Sequence, residues 1–242
     1  MDVTKPLAID LFAGLGGWTE GLLAAGYYVV GFDIERHVYG EHRYPAQLVL
    51  QDVLTLHGSQ FRDAALIVAS PPCQEYSYMA MPWKLAKAKA AAIRADQTGA
   101  ALERLNRLFN ACFRIQAEAC LAAGHHIPMV VENVRGAIPW VGRSRWNCGP
   151  YHLWGDCPAL MPNVQKKSVQ KLPGNNAARM WSERRVQRLA DGLRYDEDAF
   201  YCGSSGSKAR KHASAMIAKI PLPLSQHIAR TYHPHTSEGL VA

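Results

Sequence analysis

Short apolar runs alternate with amphipathic stretches through the first half of the chain. Residues 7–12, 28–33, 48–53, 66–69 and 129–132 are near-continuous apolar runs of strand length. Such runs suit strands buried on both faces of a parallel sheet. Residues 19–25 read as a helix stopped by Gly26. Leu102, Leu105, Phe109, Cys112, Gln116, Ala119 and Cys120 fall on one face of a long helix, with one polar member. This alternation of strand and helix predicts a doubly wound, mostly parallel α/β sheet.

The second half is less regular. Residues 139–180 are rich in Pro, Gly, Asn and Trp and read as loops with short strands. Residues 181–195 have a charged helical pattern, and 203–212 form a basic Gly/Ser loop. A last helix, 220–230, is led in by Pro221 and Pro223. No repeat and no linker interrupts the 242 residues, so a single domain over 1–242 is expected.

Composition narrows the partners. Lys and Arg outnumber Asp and Glu by 27 to 20, which favours a polyanion. No run approaches the ~18 apolar residues of a membrane span, and the N-terminus lacks a signal-peptide pattern. Six cysteines contain no C-x-x-C pair, so neither a zinc site nor a disulfide framework is expected, and the usage fits the reducing cytoplasm.

Four groups of residues carry candidate chemistry. Asp10-Leu-Phe-Ala-Gly14-Leu-Gly16-Gly17 links the first strand to the first helix. Its glycines let backbone approach a ligand, or simply make a tight turn. Asp33 ends the second strand where a carboxylate can hold ribose hydroxyls, and Asp52 ends the third, within reach of an adenine ring; either can instead be a helix cap. Together they suggest an adenosine-containing cofactor. Ser70-Pro71-Pro72-Cys73-Gln74 places a cysteine on a proline-braced loop, a nucleophile's position rather than that of an inert buried thiol. Glu132-Asn133-Val134 ends the fifth strand, where Glu132 can act as an acid or pair with Arg135.

These blocks, in this order and spacing, resemble the DNA (cytosine-5) methyltransferase family, and in their short form its phage and prophage members. The resemblance covers residues 7–140 and resumes at 213–230. It implies the S-adenosylmethionine-dependent methyltransferase fold, with a catalytic core of about 1–154 and 206–242 and a small irregular target-recognition region at 155–205. It implies Cys73 as the nucleophile at cytosine C6 and Glu132 as the partner of N3 and the exocyclic amine. For S-adenosylmethionine it implies Asp10, Phe12, Gly14, Gly16, Gly17, Asp33, the rival ribose ligand Glu35, Asp52, Pro72 and Lys219. For DNA it implies Gln74, Ser77, Lys84, Lys87, Lys208 and Arg210. The target base must flip out of the stack, or the substrate must be single-stranded, for these atoms to be reached. A monomer acting on DNA in the cytoplasm, that of a host if phage-encoded, with no membrane, metal or obligate protein partner, is the expectation.

Three departures qualify it. The family's Gln-x-Arg-x-Arg strand is missing, and Arg143 and Arg145 are the substitutes, Arg145 preferred. The recognition region is short, so sequence specificity should be low. Lys219 stands where the family has Asn. A cation there could hold a carboxy-S-adenosylmethionine and transfer carboxymethyl instead of methyl. The same motifs would also suit an RNA cytosine-5 methyltransferase or, with catalysis lost, an inactive DNA-binding relative.

Overall fold

The computed structural model describes residues 5–77, 83–162, 215–216 and 218–234. The chain divides into two compact units, Met1–Val164 with Lys219–Ala242, and Gln165–Ala218. Nearly all of the second unit, with Lys208 and Arg210 in it, lies outside the described residues.

The first unit is built on a seven-stranded sheet. Its strands are β1 (Leu7–Leu11), β2 (Tyr28–Asp33), β5 (Gln47–Leu50), β6 (Ala64–Ala69), β7 (Met129–Asn133), β8 (Trp146–Cys148) and β9 (Tyr151–Gly155). A separate hairpin, β3 (Val38–Tyr39) with β4 (His42–Arg43), follows β2. The sheet order is β5-β2-β1-β6-β7-β9-β8. The first five strands pair in parallel, and β9 runs antiparallel to both β7 and β8.

The apolar runs fill both faces, as alternation along a strand requires. Ala8, Val29, Leu66, Val68 and Val130 face a cluster made with Trp18 and Leu22 of α1 (Gly17–Ala24) and Leu224 and Ile228 of the last helix, Leu222–Thr231. Ile9, Leu11, Ile67, Met129 and Val131 face Phe109, Cys112 and Ile115 of the long helix Ala100–Ala123. Each fully buried Leu or Ile contributes about 1.5–3 kcal/mol. Among the described residues the remaining α-helices of the sheet unit are α2 (Trp83–Ala95) and α4 (Ile138–Val141); the long helix is α3 and the helix Leu222–Thr231 is α5. Among the described residues no helix is long and apolar enough to cross a membrane, and no cluster of His, Cys, Asp and Glu could hold a metal.

Three expectations need correction. The third strand stops at Leu50 rather than at residue 53, because Asp52 accepts a 2.9 Å hydrogen bond from Leu54 N and caps a 3-10 turn, Val53–Thr55. Leu102 is exposed, and the stripe on α3 runs through Ala111 and Ile115 instead. The β3–β4 hairpin, from a charged stretch with no apolar alternation, went unanticipated.

In a sheet of this topology, ligands gather beyond the carboxyl ends of the parallel strands. The glycine loop, Asp33, the Pro-Pro-Cys loop and Glu132-Asn133 all occupy that edge, at the ends of β1, β2, β6 and β7.

Candidate active site

The cofactor half begins where β1 ends. Phe12 has a φ of 60°, strained for a bulky residue, which turns the chain sharply into the glycine loop. The loop is tied down by Ala13 N donating to Phe32 O at 3.0 Å and Gly16 N to Ala13 O at 2.8 Å. Asp33 stands beside it, its carboxylate accepting from Gly14 N at 2.8 Å and from Glu35 N at 3.2 Å. His37 lies between the two carboxylates, 3.6 Å from each. Burial pushes the Asp33 carboxyl up, but the bond with His37 and those two amides outweigh it and hold the group ionised, below the usual carboxylate value. A fixed, ionised carboxylate beside a glycine loop fits a ribose. Glu35, largely exposed, is the looser of the two.

Gly17 opens α1, and a Cβ there would lie 2.4 Å from the backbone N of Ile220. The C-terminal block therefore packs directly on the loop. Lys219 places its ammonium 2.5 Å from the Glu20 carboxylate, one turn into α1. That pair supplies the counter-charge that the carboxymethyl reading required from a cofactor.

Asp10 is placed differently from its expected cofactor role. It is 1% exposed and turned inward, where Thr19 Oγ1 donates to it at 2.6 Å and the Tyr44 hydroxyl lies 2.6 Å from the same Thr19 oxygen. Burial pushes its carboxyl up to about 8, so it sits protonated in this network. It braces the cofactor loop from behind. Asp52 is bound up in its 3-10 cap, the second of the two roles its position allowed.

The reactive half is framed by β6 and β7. Asn133 Nδ2 donates to Pro71 O at 2.9 Å and fastens the Pro-Pro-Cys loop to the neighbouring strand. Past the cysteine the chain turns at once, with Tyr76 N and Ser77 N both donating to Cys73 O, at 3.0 and 2.9 Å. Tyr76 is buried and anchors the turn to α3 through Asn106 Oδ1 at 3.0 Å. Gly136 completes the brace, since a Cβ there would meet Tyr76 O at 2.1 Å. A salt bridge from Lys89 of α2 holds Glu75.

Cys73 and Glu132 thus meet at adjoining strand ends. Both are partly buried, and burial pushes the Glu132 carboxyl up to about 8, partly offset by its hydrogen-bonding partner Ser70. Burial, then the neighbouring Glu132 charge, push the Cys73 thiol up. The two groups are therefore both protonated at neutral pH, an acid beside a thiol. Trp18 Nε1 donates to Ser70 Oγ at 3.0 Å, and Tyr151 lies close enough to Glu132 to feel its charge while donating to Lys219 O at 3.3 Å.

Other expected residues scatter. Pro72, Gln74, Lys84 and Lys87 are exposed, and Ser77 is half-buried. Arg143 and Arg145 are exposed, and the Arg145 charge acts on Cys157 and Tyr232 rather than on Cys73 or Glu132. The hydrogen bond from Arg145 N to Leu153 O fixes it on the outer side of β9, so the preferred substitute arginine does not reach the pair. Ser70, Trp18, Asn133, Tyr44 and Tyr151 had no assigned role in the sequence. Only Ser70 and Asn133, inside the two motifs, carried a local signal.

A glycine loop, a strand-end carboxylate and a cysteine–glutamate pair thus lie along one edge of the sheet. Residues 7–93 match the C-5 cytosine-specific DNA methylase family. Among solved structures, a protein described as a DNA modification methyltransferase encoded within an E. coli prophage is similar. It shares 23% identity over 55% of this chain and 33% of its own, with a TM-score of 0.36. The S. pombe Dnmt2 methyltransferase shares 16% identity over 57% of this chain and 37% of its own, TM-score 0.34. The Entamoeba histolytica methyltransferase EhMeth shares 16% over 57% and 41%, TM-score 0.35. The chain thus spans less than half the length of these structures. A search of curated protein sequences finds no match.

Proposed function

We propose that this protein transfers a methyl group from S-adenosylmethionine to carbon 5 of cytosine in DNA. The observation that carries the reading is the meeting of Cys73 and Glu132 beside the glycine loop and Asp33. When bound, the cofactor supplies an electrophilic methyl group on a sulfonium. Phe12, Gly14 and Gly16 would line its methionine end and Asp33 its ribose.

Carbon 5 of cytosine is a poor nucleophile. Cys73, once it has lost its proton, adds to C6, and electron density moves towards N3 and C5. Glu132, protonated up to about pH 8, donates to N3 and neutralises the charge that develops there. Carbon 5 then takes the methyl group. Loss of the C5 proton restores the aromatic ring and expels the Cys73 thiolate. Cys73 is only partly buried, so a flipped or single-stranded base could reach it, with the exposed Gln74 beside it.

Nucleoside mass spectrometry of DNA from cells expressing the protein tests the proposal. 5-Methylcytosine above the background of the host strain is expected. Methylcytosine confined to RNA, or unmodified DNA, would overturn it, and 5-carboxymethylcytosine would point to carboxy-S-adenosylmethionine as the cofactor.

A further inference from the structure

We propose that Cys120, His126 and Asp156 form a second thiol site, separate from Cys73, that exchanges with small anionic disulfides such as oxidised glutathione. The site is a row of thiol, imidazole and carboxylate drawn from three parts of the chain. Cys120 is in the last turn of α3, His126 is in the loop that leads to β7, and Asp156 follows β9. The three gather at the amino end of β7, across the sheet from the edge that holds Cys73 and Glu132. The site is independent of the methyl-transfer reading.

Asp156 Oδ2 accepts from Met129 N at 2.8 Å and from Gln116 Nε2 at 2.9 Å, so strand and helix fix the carboxylate. His126 Nε2 lies 3.1 Å from the same oxygen. A hydrogen on Nε2 aimed at that oxygen leaves the lone pair on Nδ1. Nδ1 lies 4.0 Å from Cys120 Sγ, the outer reach of a hydrogen bond to sulfur. The sulfur also accepts from Ile127 N at 3.2 Å, which steadies negative charge on it, and lies 3.8 Å from Ile127 O. Nucleophile, base and orienting group thus stand in sequence.

His126 also faces a space of ligand size. With Arg62, Asp63, His125 and Pro128 it lines a cleft of about 450 Å³. Arg62 and the two histidines suit the carboxylates of an anionic ligand, and Asp63, 3.7 Å from Arg62 Nε, takes only part of its five-donor fork. In the exchange Cys120 passes its proton to His126 Nδ1 and attacks one sulfur of the disulfide. A new S–S bond forms at Cys120, the old one breaks, and the leaving thiolate takes the proton from His126, with no net oxidation. Among the other described cysteines, burial pushes Cys73, Cys112 and Cys157 up, the last two to about 12 and about 11, which slows them as nucleophiles at neutral pH.

Peptide-resolved labelling of the full chain by iodoacetamide at pH 7, without cofactor or DNA, reads the thiols one by one. Cys120 should label about ten-fold faster than Cys73. The His126 side chain is 63% exposed, so His126→Gln should leave the melting temperature unchanged. It should slow Cys120 about ten-fold and leave the Cys73 rate as it was. Oxidised glutathione should add a glutathionyl group at Cys120, removed by dithiothreitol and absent in Cys120→Ser. Arg62→Ala should slow that addition and leave labelling by the uncharged iodoacetamide unchanged. Faster labelling of Cys73 than of Cys120, a wild-type Cys120 rate in His126→Gln, or glutathionylation indifferent to Arg62 would overturn the proposal.

Discussion

Cys73 and Glu132 perturb one another, and their variants should diverge. Cys73→Ala should abolish methyl transfer and leave cofactor affinity nearly intact, because the thiol is not among the groups that meet the glycine loop. Glu132→Gln keeps the shape and loses the acid, which typically costs ~10²–10³ in rate. Yet the same change removes the charge that pushes the Cys73 thiol up. Cys73 should therefore alkylate faster at pH 8–9 in Glu132→Gln than in wild type, while transfer falls. A paired measurement of alkylation and transfer checks both signs. The buried acids also bear on stability. Burial raises the Asp10 carboxyl from 3.8 to about 8 and the Glu132 carboxyl from 4.5 to about 8. Between these limits the unfolded chain has lost both protons and the folded chain keeps them. Stability from these groups is thus full below about pH 4 and is lost as pH rises towards 8. Urea midpoints at pH 5 and 8 should show the fall, against which other titrating groups add their own slopes. Asp10→Asn should remove roughly half of this component.

At the scale of elements, loops hold the reacting groups and strand ends hold the loops. Gly136→Ala is the sharpest test of that arrangement. The added Cβ would lie 2.1 Å from Tyr76 O, so the turn after Cys73 must shift. Overpacking of this kind costs about 1–3 kcal/mol, and a nucleophile displaced by ~1 Å can lose about 10²-fold in rate. Thermal denaturation should show the first and single-turnover transfer the second, with cofactor affinity unchanged. The five parallel strands and α3 were readable in the sequence because both-face burial gives unbroken apolar runs and a helix gives a 3.6-residue stripe. Cys73 and Glu132 were readable because their motifs are contiguous. What escaped depends on contacts between distant residues. Trp18 meets Ser70 across 52 positions, and Tyr44 reaches Thr19 from the unforeseen hairpin. Arg145 stands just before β8, its backbone bonded to Leu153 and its charge acting on Cys157, and no periodicity reports a placement of that kind.

For the whole molecule, selectivity is the property most open to test. The recognition region expected at 155–205 is small, and few side chains from it can read base edges. Methylation should therefore spread over many cytosine contexts, governed by one or two neighbouring bases. Bisulfite sequencing of a plasmid recovered from expressing cells should show this, and a strict site of four or more base pairs would contradict it.

The packing of α5 on α1 also has a temporal side. Lys219 meets Glu20 across 199 positions, and Ile220 closes on Gly17. On the ribosome, at ~5–20 residues per second, roughly 10–40 s separate the synthesis of the two partners. Through that interval the apolar face of Trp18 and Leu22 has no cover from Leu224 and Ile228. The growing polypeptide should thus be a client of holding chaperones until translation has passed α5.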